Sequence, residues 1–338
     1  MQRILLFVFA SLVTGALFAG VAPATAQEPP ALSYPADCAI GRGCWILSHV
    51  DLDSGPAYRD HRCGPRTYAG HKGTDIALID PATMATNVTV RAAADGTVLG
   101  VRDGEPDNRM DRETAFTEGK ECGNGVRIDH GGGWATQYCH LKRGSIAVRA
   151  GQRIAAGAPL GAIGNSGASE TPHLHFQLEK DGTVLDPFLG RSAANTETGP
   201  AACQVGAPLW TDTALAAFGE YAPSFIRHAG FAPGPLKVRD AQANPAPDTF
   251  PRNAPALIFY TTIYGVPAGS VLALRIAGPD GKVFVEDTFP MPETKARQFN
   301  FIGRKTPPGG WPAGQYTGIV TLTAPEGTIS RSAVVTVR

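Results

Sequence analysis

The sequence lacks a charge imbalance and, beyond its first residues, any long apolar run. Lys and Arg together number 30, as do Asp and Glu, so the formal net charge at pH 7 is zero. Proteins that bind nucleic acid or anionic membranes carry a basic surplus, so we expect neither partner. After residue 21 no stretch approaches the ~20 consecutive apolar residues of a membrane span. We therefore expect no membrane association once the amino-terminal segment is removed.

That amino-terminal segment has the pattern of a secretory signal peptide. Arg3 supplies a positive charge, residues 4–21 are almost uninterruptedly apolar, and Ala24-Thr25-Ala26 is a small-x-small cleavage pattern. We expect cleavage before Gln27, which makes residues 1–26 a signal peptide and the mature protein exported, either periplasmic or secreted. An uncleaved membrane anchor is the alternative, and the cleavage pattern directly after the apolar run disfavours it.

The cysteines include no C-x-x-C pair, which argues against a zinc–thiolate site. Their number, 6, is even, and in an oxidising compartment an even number predicts disulfides. Cys122 and Cys139 flank a predicted hairpin whose turn is Gly131-Gly132-Gly133, so we expect these two to pair. The remaining four cysteines allow three connectivities, and the sequence does not choose among them: Cys38, Cys44, Cys63 and Cys203.

Short strands separated by turn residues dominate the rest of the chain. The contents of Gly, 40, and Pro, 28, are high, and the apolar runs are short, which favours a mostly β protein. Residues 66–192 show this pattern and contain the candidate chemistry described below. Residues 251–338 show it again, with turns such as Pro279-Asp280-Gly281, and predict a C-terminal immunoglobulin-like β-sandwich. That stretch has no His and no Cys, so we expect the chemistry upstream.

Two connecting segments complete the predicted organisation. Residues 27–65 form a cysteine-containing amino-terminal segment. Residues 193–250 are predicted to be a linker with one short helix at about residues 215–231. The sandwich that follows is a candidate surface for a wall or protein partner, because its fold alone assigns it no function.

Five of the eight histidines lie between residues 71 and 175, in or near three local motifs. These are His71-Lys72-Gly73-Thr74-Asp75, Tyr138-Cys139-His140-Leu141 and His173-Leu174-His175-Phe176. Each motif alone has an incidental interpretation, such as a loop histidine beside a turn-capping aspartate. Together they contain the two imidazoles and one carboxylate that suit a catalytic zinc ion, which takes three protein ligands and keeps one position open.

Strand periodicity orients two of these motifs. Residues two apart on a strand point to the same face, so His173 and His175 should project together, with Leu174 and Phe176 on the opposite face. By the same rule we expect Tyr138 and His140 to share a strand face. Gly73 and the β-branched Thr74 disfavour a helix, so a loop should deliver the first motif at the start of a strand. Spacing does not decide whether His173 or His175 binds metal.

The combined motifs resemble those of the lysostaphin-type (LytM-like) zinc endopeptidases, which are murein hydrolases. The matching elements are H-x-x-x-D at His71 and Asp75, Y-x-H-L at Tyr138 to Leu141, and H-x-H at His173 to His175. The resemblance continues through Gly164-Asn165-Ser166-Gly167 and Asp186-Pro187-Phe188 and covers roughly residues 60 to 190. The polar insertion at residues 103–120 and the cysteines depart from the family's minimal pattern, which leaves the width of the cleft open.

This resemblance implies a fold, a cofactor and a substrate. The fold is an antiparallel β-sheet catalytic domain of the duplicated hybrid motif type. One Zn²⁺ per chain would be held by His71, Asp75 and His175, with His140 and His173 as the catalytic pair. The substrate would be the peptide cross-links of peptidoglycan, and among these we expect the D-alanyl–diaminopimelyl bond. Which of the two catalytic histidines is the general base stays open.

Two other functions are compatible with the same fold. One is a non-catalytic activator or binding module for another wall hydrolase, which the complete set of metal ligands disfavours. The other is an exported zinc endopeptidase that acts on proteins. A purely structural zinc site is disfavoured as well, because a His-Asp-His set without cysteine suits an open catalytic site better.

Overall fold

The structure is a computed structural model that describes residues 28–111, 113–192, 206–243 and 246–338. The predicted signal peptide, the start of the predicted linker and Cys203 lie outside these residues. In the described part, no helix is long and apolar enough to cross a membrane. The prediction of a mostly β protein built from antiparallel sheets is confirmed.

The amino-terminal half is built around an eight-stranded sheet in the order β1-β2-β9-β6-β5-β4-β7, with β10 paired to β9. Strands β3 and β8 form a separate two-stranded sheet, and a short 3-10 helix covers Pro81–Thr86. The strands are β1 Cys44–Ser48, β2 Thr74–Leu78, β3 Thr89–Arg91, β4 Gly96–Arg102, β5 Asn124–Gly131, β6 Trp134–Leu141, β7 Arg153–Ile154, β8 Pro159–Ala162, β9 His173–Lys180 and β10 Thr183–Leu185.

The hairpin between β5 and β6 has the predicted glycine turn. Gly131 pairs with Trp134, and the two residues between them, Gly132 and Gly133, have φ angles of 56° and 83°. Positive φ at both positions matches the twist of a two-residue hairpin, and glycine adopts it without steric cost. The hairpin brings Cys122 and Cys139 together, and their predicted disulfide is confirmed. A second disulfide joins Cys38 to Cys44.

The C-terminal half contains two sheets that share one hydrophobic core. Three strands form the first sheet, in the order β11-β13-β16, and five form the second, in the order β12-β18-β17-β14-β15. Apolar residues from both sheets are buried together, among them Phe259 and Leu274. The immunoglobulin-like assignment stays a prediction. The elements are α1 Asp212–Phe218, β11 Phe225–Ala232, α2 Val238–Ala243, β12 Thr249–Phe250, β13 Ala256–Val266, β14 Ser270–Ala277, β15 Val283–Met291, β16 Lys295–Lys305, β17 Gly314–Ala324 and β18 Gly327–Val337.

The helix predicted at residues 215–231 was wrong over its second half. Helix α1 begins after Thr211, whose hydroxyl accepts the backbone N–H of Ala214, and it ends at Gly219, which has a φ of 70°. Residues 225–232 are strand β11 instead, paired along its length with β13. The positive φ at Gly219 ends the helix, and Pro223 prevents a new one before the strand begins.

Two strands also lie outside the predicted units that they join. Strand β1 falls in the segment 27–65 and pairs with β2, and β11 falls in the predicted linker and pairs with β13. The boundaries proposed at residues 66, 193 and 251 stay predictions.

The C-terminal half packs on one end of the large sheet. Trp45 of β1 stacks on Phe225, with ring centroids 4.7 Å apart, and meets Tyr264 edge to face at 4.9 Å. These rings cover Ala77, which lies two residues after Asp75 on β2 and therefore on the same sheet face. The C-terminal half thus sits on the sheet face that carries Asp75.

Candidate metal centre

A loop delivers His71, and the first turn of β2 delivers Asp75, as the motif predicts. The Nδ1 of His71 lies 2.7 Å from the carbonyl oxygen of His49, which can only accept, so Nδ1 carries the proton. The ring therefore turns an unprotonated Nε2 towards Asp75, 3.0 Å from its Oδ2. Asp75 stands directly opposite His175 in the β2–β9 pairing. Residues 100 apart in sequence are thereby neighbours.

Strand β9 places its histidines as the alternation predicts. Leu174 and Phe176 are fully buried in the core, while His173 and His175 lie on the other face beside Asp75. The Nδ1 of His175 is 2.9 Å from the Oδ1 of Asp75 and 3.2 Å from the Nε2 of His71. Its Nε2 faces the Oε1 of Gln177 at 3.5 Å, which favours a proton on Nε2 and leaves Nδ1 as the ligand atom.

These three side chains fit a zinc ion. Their ligand atoms all lie within 4.8 Å of one another, and the shortest separations are 2.9, 3.0 and 3.2 Å. Around a tetrahedral zinc with bonds of about 2.0 to 2.1 Å, neighbouring ligand atoms are about 3.3 Å apart. Two unprotonated ring nitrogens 3.2 Å apart would repel each other unless a cation lay between them. The structure therefore brings His71, Asp75 and His175 together in a geometry that suits a metal ion.

The placement of His140 corrects one expectation. Tyr138 is fully buried in the core, where its hydroxyl accepts the backbone N–H of Ala93, so Tyr138 and His140 do not share a strand face. His140 has a φ of 62°, in the left-handed region, which breaks the alternation of β6. Its ring consequently lies on the metal-centre face, with its centroid 4.6 Å from that of His173 and 5.9 Å from that of His175.

Backbone carbonyls orient both of the remaining histidines. The Nδ1 of His140 donates to the carbonyl oxygen of Ser166 at 2.8 Å, and the Nδ1 of His173 donates to that of Thr171 at 2.8 Å. Each ring thus keeps its Nε2 free of a proton when neutral. The Thr171 hydroxyl in turn accepts a hydrogen bond from Arg227 of the C-terminal half, at 3.1 Å.

The electrostatics of the centre separate a charged carboxylate from neutral imidazoles. Burial alone would raise the pKa of Asp75, but the surrounding His71, His173 and His175 outweigh it and hold that pKa well below its ordinary value. Burial lowers the pKa of His140 well below its ordinary value, and the neighbouring His173 and His175 lower it further. Burial likewise lowers the pKa of His173, against the opposing pull of Asp75. An ionised Asp75 and unprotonated histidines are the forms that bind metal and accept protons.

Sequence reasoning missed several residues that shape this centre. Gly73 stands so close to His175 that an added Cβ would lie 2.5 Å from the ring, although its place inside H-x-x-x-D was a usable signal. The cleft beside the histidines has a volume of about 410 Å³. Its wall includes Tyr68 and Glu170 and also Tyr264 and Arg297 of the C-terminal half. No sequence pattern pointed to these four.

Comparison with known proteins identifies the segment that carries the centre. Residues 69–187 match the sequence model of Peptidase family M23. The chain is 34% identical over 110 residues to the peptidoglycan DD-endopeptidase ShyA of Vibrio cholerae, an alignment covering 32% of this chain and 20% of that protein. It is 30% identical over 141 residues to the DD-carboxypeptidase/endopeptidase Mpg of Neisseria meningitidis, which covers 42% of this chain and 27% of that protein.

Among solved structures, the chain is similar to the catalytic domain of lysostaphin from Staphylococcus simulans. The identity is 23%, the match covers 35% of this chain and 76% of that domain, and the TM-score is 0.25. The chain spans about a fifth to a quarter of the length of the two bacterial relatives above.

Proposed function

Because residues 69–187 form a Peptidase family M23 domain, we propose that the chain is an exported zinc metalloendopeptidase that cleaves peptide cross-links of peptidoglycan. The observation that carries this proposal is the convergence of three ligand atoms, from His71, Asp75 and His175, at 2.9 to 3.2 Å from their nearest neighbours. Two further histidines face the same point. A metal ligated by three side chains, with proton-accepting groups beside it, is the arrangement that hydrolysis of an amide requires.

The division of roles follows from the orientation of the rings. His71, Asp75 and His175 hold the zinc ion, which when bound supplies Lewis-acid chemistry that acidifies water and polarises a carbonyl. His140 and His173 each anchor Nδ1–H on a backbone carbonyl and present Nε2 to the cleft. One neutral Nε2 takes the proton of the attacking water. The other ring, once protonated, donates to the oxygen that gains negative charge.

The substrate assignment draws on the relatives. ShyA is named a peptidoglycan DD-endopeptidase and Mpg a DD-carboxypeptidase/endopeptidase, and both align with the region that contains the metal centre. We propose the D-alanyl–diaminopimelyl bond as the one cleaved. Action on the wall requires export, which the predicted signal peptide at residues 1–26 provides. Mass spectrometry of the protein from the periplasmic or culture fraction should find an amino terminus at Gln27.

Digestion of purified sacculi tests the activity. The zinc-loaded protein should lower the amount of cross-linked muropeptides, measured by liquid chromatography and mass spectrometry, and the new products should end in D-alanine. Unchanged cross-linking by zinc-loaded protein would refute the proposal. Cleavage of casein without cleavage of sacculi would instead identify a peptidase that acts on proteins.

Paired substitutions test the division of roles. His71→Ala and Asp75→Ala should lose both bound zinc and activity, because each removes a ligand. His140→Ala and His173→Ala should retain zinc, measured by elemental mass spectrometry, and lose at least ~100-fold in kcat. A folded His140→Ala protein without metal would contradict the assignment of His140 to proton transfer.

A further inference from the structure

The C-terminal half lies beside the candidate metal centre. Strand β2 turns Asp75 and Ala77 to the same face, and the rings of Trp45, Phe225 and Tyr264 cover Ala77. The side chain of Arg227 fixes this arrangement, because it lies over the Trp45 ring at 5.2 Å and donates to the Thr171 hydroxyl. The C-terminal half is therefore held next to the residues that orient His173.

One wall of the cleft consequently comes from outside the M23 domain. The cavity of about 410 Å³ that contains Asp75, His140 and His173 is closed on one side by Tyr264, Ala296 and Arg297. Strand β16 carries the last two of these residues, and β16 is the edge of the three-stranded sheet opposite β11. A peptide that reaches the metal centre through this cleft passes the guanidinium of Arg297.

The charge of Arg297 is incompletely satisfied by its protein partner. Its NH1 donates to the Oε2 of Glu170 at 2.6 Å, and both side chains remain partly exposed, 39% for Arg297 and 62% for Glu170. A guanidinium has five N–H donors in a planar fork, more than one carboxylate oxygen occupies. An exposed ion pair of this kind contributes little stability, so exchange of partners has a low cost.

The basic character of this wall continues beyond Arg297. The pair of Glu170 and Arg297 also borders a second cavity of about 370 Å³, whose C-terminal side carries Lys237 and Arg239. The two cavities therefore share the ion pair as a common border. Three cations on the C-terminal side of this groove favour a ligand that carries carboxylates.

We propose that Arg297 binds a carboxylate of the substrate next to the scissile amide and so makes the C-terminal half a determinant of specificity. This inference rests on the proposed endopeptidase function. A diaminopimelyl residue linked through its side-chain amine carries a free carboxylate at the carbon adjacent to the amide that is cleaved. The forked guanidinium matches that group, whereas an amidated or uncharged neighbour offers it no anion.

The test compares two synthetic cross-linked peptides that differ only in this carboxylate, free in one and amidated in the other. The wild-type protein should cleave the free-acid peptide with the higher kcat/KM. Arg297→Ala should lower kcat/KM for the free acid about 10-fold or more, chiefly through KM, and change it less than about 2-fold for the amide. Arg297→Lys should give an intermediate loss. Arg304→Ala, an exposed arginine on the same strand, is the matched control and should change neither value.

A role for Arg297 as a mere strut between the two halves predicts different results. If the pair with Glu170 only held the cleft in shape, Glu170→Gln would reproduce the effect of Arg297→Ala on both peptides. We expect Glu170→Gln to preserve or increase the preference for the free acid, because it releases the guanidinium. Equal losses on both peptides in Arg297→Ala, or no loss on either, would overturn the inference.

A binding measurement separates this inference from the proposed function. Fluorescence anisotropy with labelled peptides in the His140→Ala background reports affinity without turnover. Preference for the free acid that disappears in His140→Ala/Arg297→Ala supports the inference even if the wild-type protein cleaves no wall peptide, in which case only the proposed function fails. Cleavage by the wild-type protein with a preference that ignores Arg297 refutes the inference alone.

Discussion

Gly73→Ala should remove the metal centre without adding or deleting a ligand. The new Cβ would lie 2.5 Å from Cε1 and 2.6 Å from Nε2 of His175, and 2.7 Å from the carbonyl oxygen of Phe176. Ordinary contacts begin near 3.4 Å, so the ring has to retreat by about 0.9 Å. The carbonyl cannot yield in its place, because Phe176 is held in the β2–β9 pairing opposite Thr74.

The size of that displacement sets the expected effect. Metal–ligand distances tolerate about 0.2 Å, and disturbed support of a ligand costs about 10- to 100-fold in metal affinity. We expect Gly73→Ala to bind zinc about 100-fold more weakly than the wild-type protein, with a parallel loss of activity at limiting zinc. The affinity is measured by competition with a chromogenic chelator, and folding is checked by circular dichroism.

Gly100→Ala is the matched control for this experiment. Gly100 lies on β4 of the same sheet, and a Cβ there would meet nothing within 4 Å. This variant should retain wild-type zinc affinity and equal or slightly higher stability, because alanine lowers the entropy of the unfolded chain. Wild-type zinc affinity in Gly73→Ala would refute the placement of His175 against the loop.

Three further predictions concern stability. Burial raises the pKa of Asp186 from 3.8 to about 7, so the folded state holds a proton that the unfolded state releases, and Asp186→Asn should abolish a loss of about 4 kcal/mol between pH 4 and pH 7, measured by urea unfolding. Replacing Cys122 and Cys139 together by serine should cost about 3 kcal/mol, because the disulfide closes a loop with a sequence separation of 17. Tyr138→Phe should destabilise by about 1 to 3 kcal/mol and keep zinc, because it leaves the buried N–H of Ala93 without its acceptor.

Each of these has an outcome that would contradict it. A wild-type protein whose stability relative to Asp186→Asn stays constant across this pH range would show that Asp186 ionises in the folded state. Unchanged unfolding after loss of the Cys122–Cys139 pair would mean that the hairpin alone restricts the unfolded chain. Loss of activity with normal stability in Tyr138→Phe would place that hydroxyl in the chemistry rather than in the core.

Local periodicity was enough to predict part of the site. The H-x-H spacing placed His173 and His175 on one face because alternation along a strand is a property of the backbone itself. The turn glycines between Cys122 and Cys139 predicted a hairpin and its disulfide for the same local reason. The assignment of His175 rather than His173 to the metal came from resemblance to a family, since spacing left it open.

Tertiary structure alone decided the remainder. His140 faces the centre because of one left-handed residue, which no alternation rule reveals and which the surrounding hydrogen bonds hold in place. Asp75 meets His175 because β2 pairs with β9, and strand pairing depends on which apolar faces can be buried together. Arg297 reaches the cleft because the C-terminal half packs on that same face. A sequence specifies the pattern within each strand, whereas the contacts between distant strands follow from burial of the whole chain.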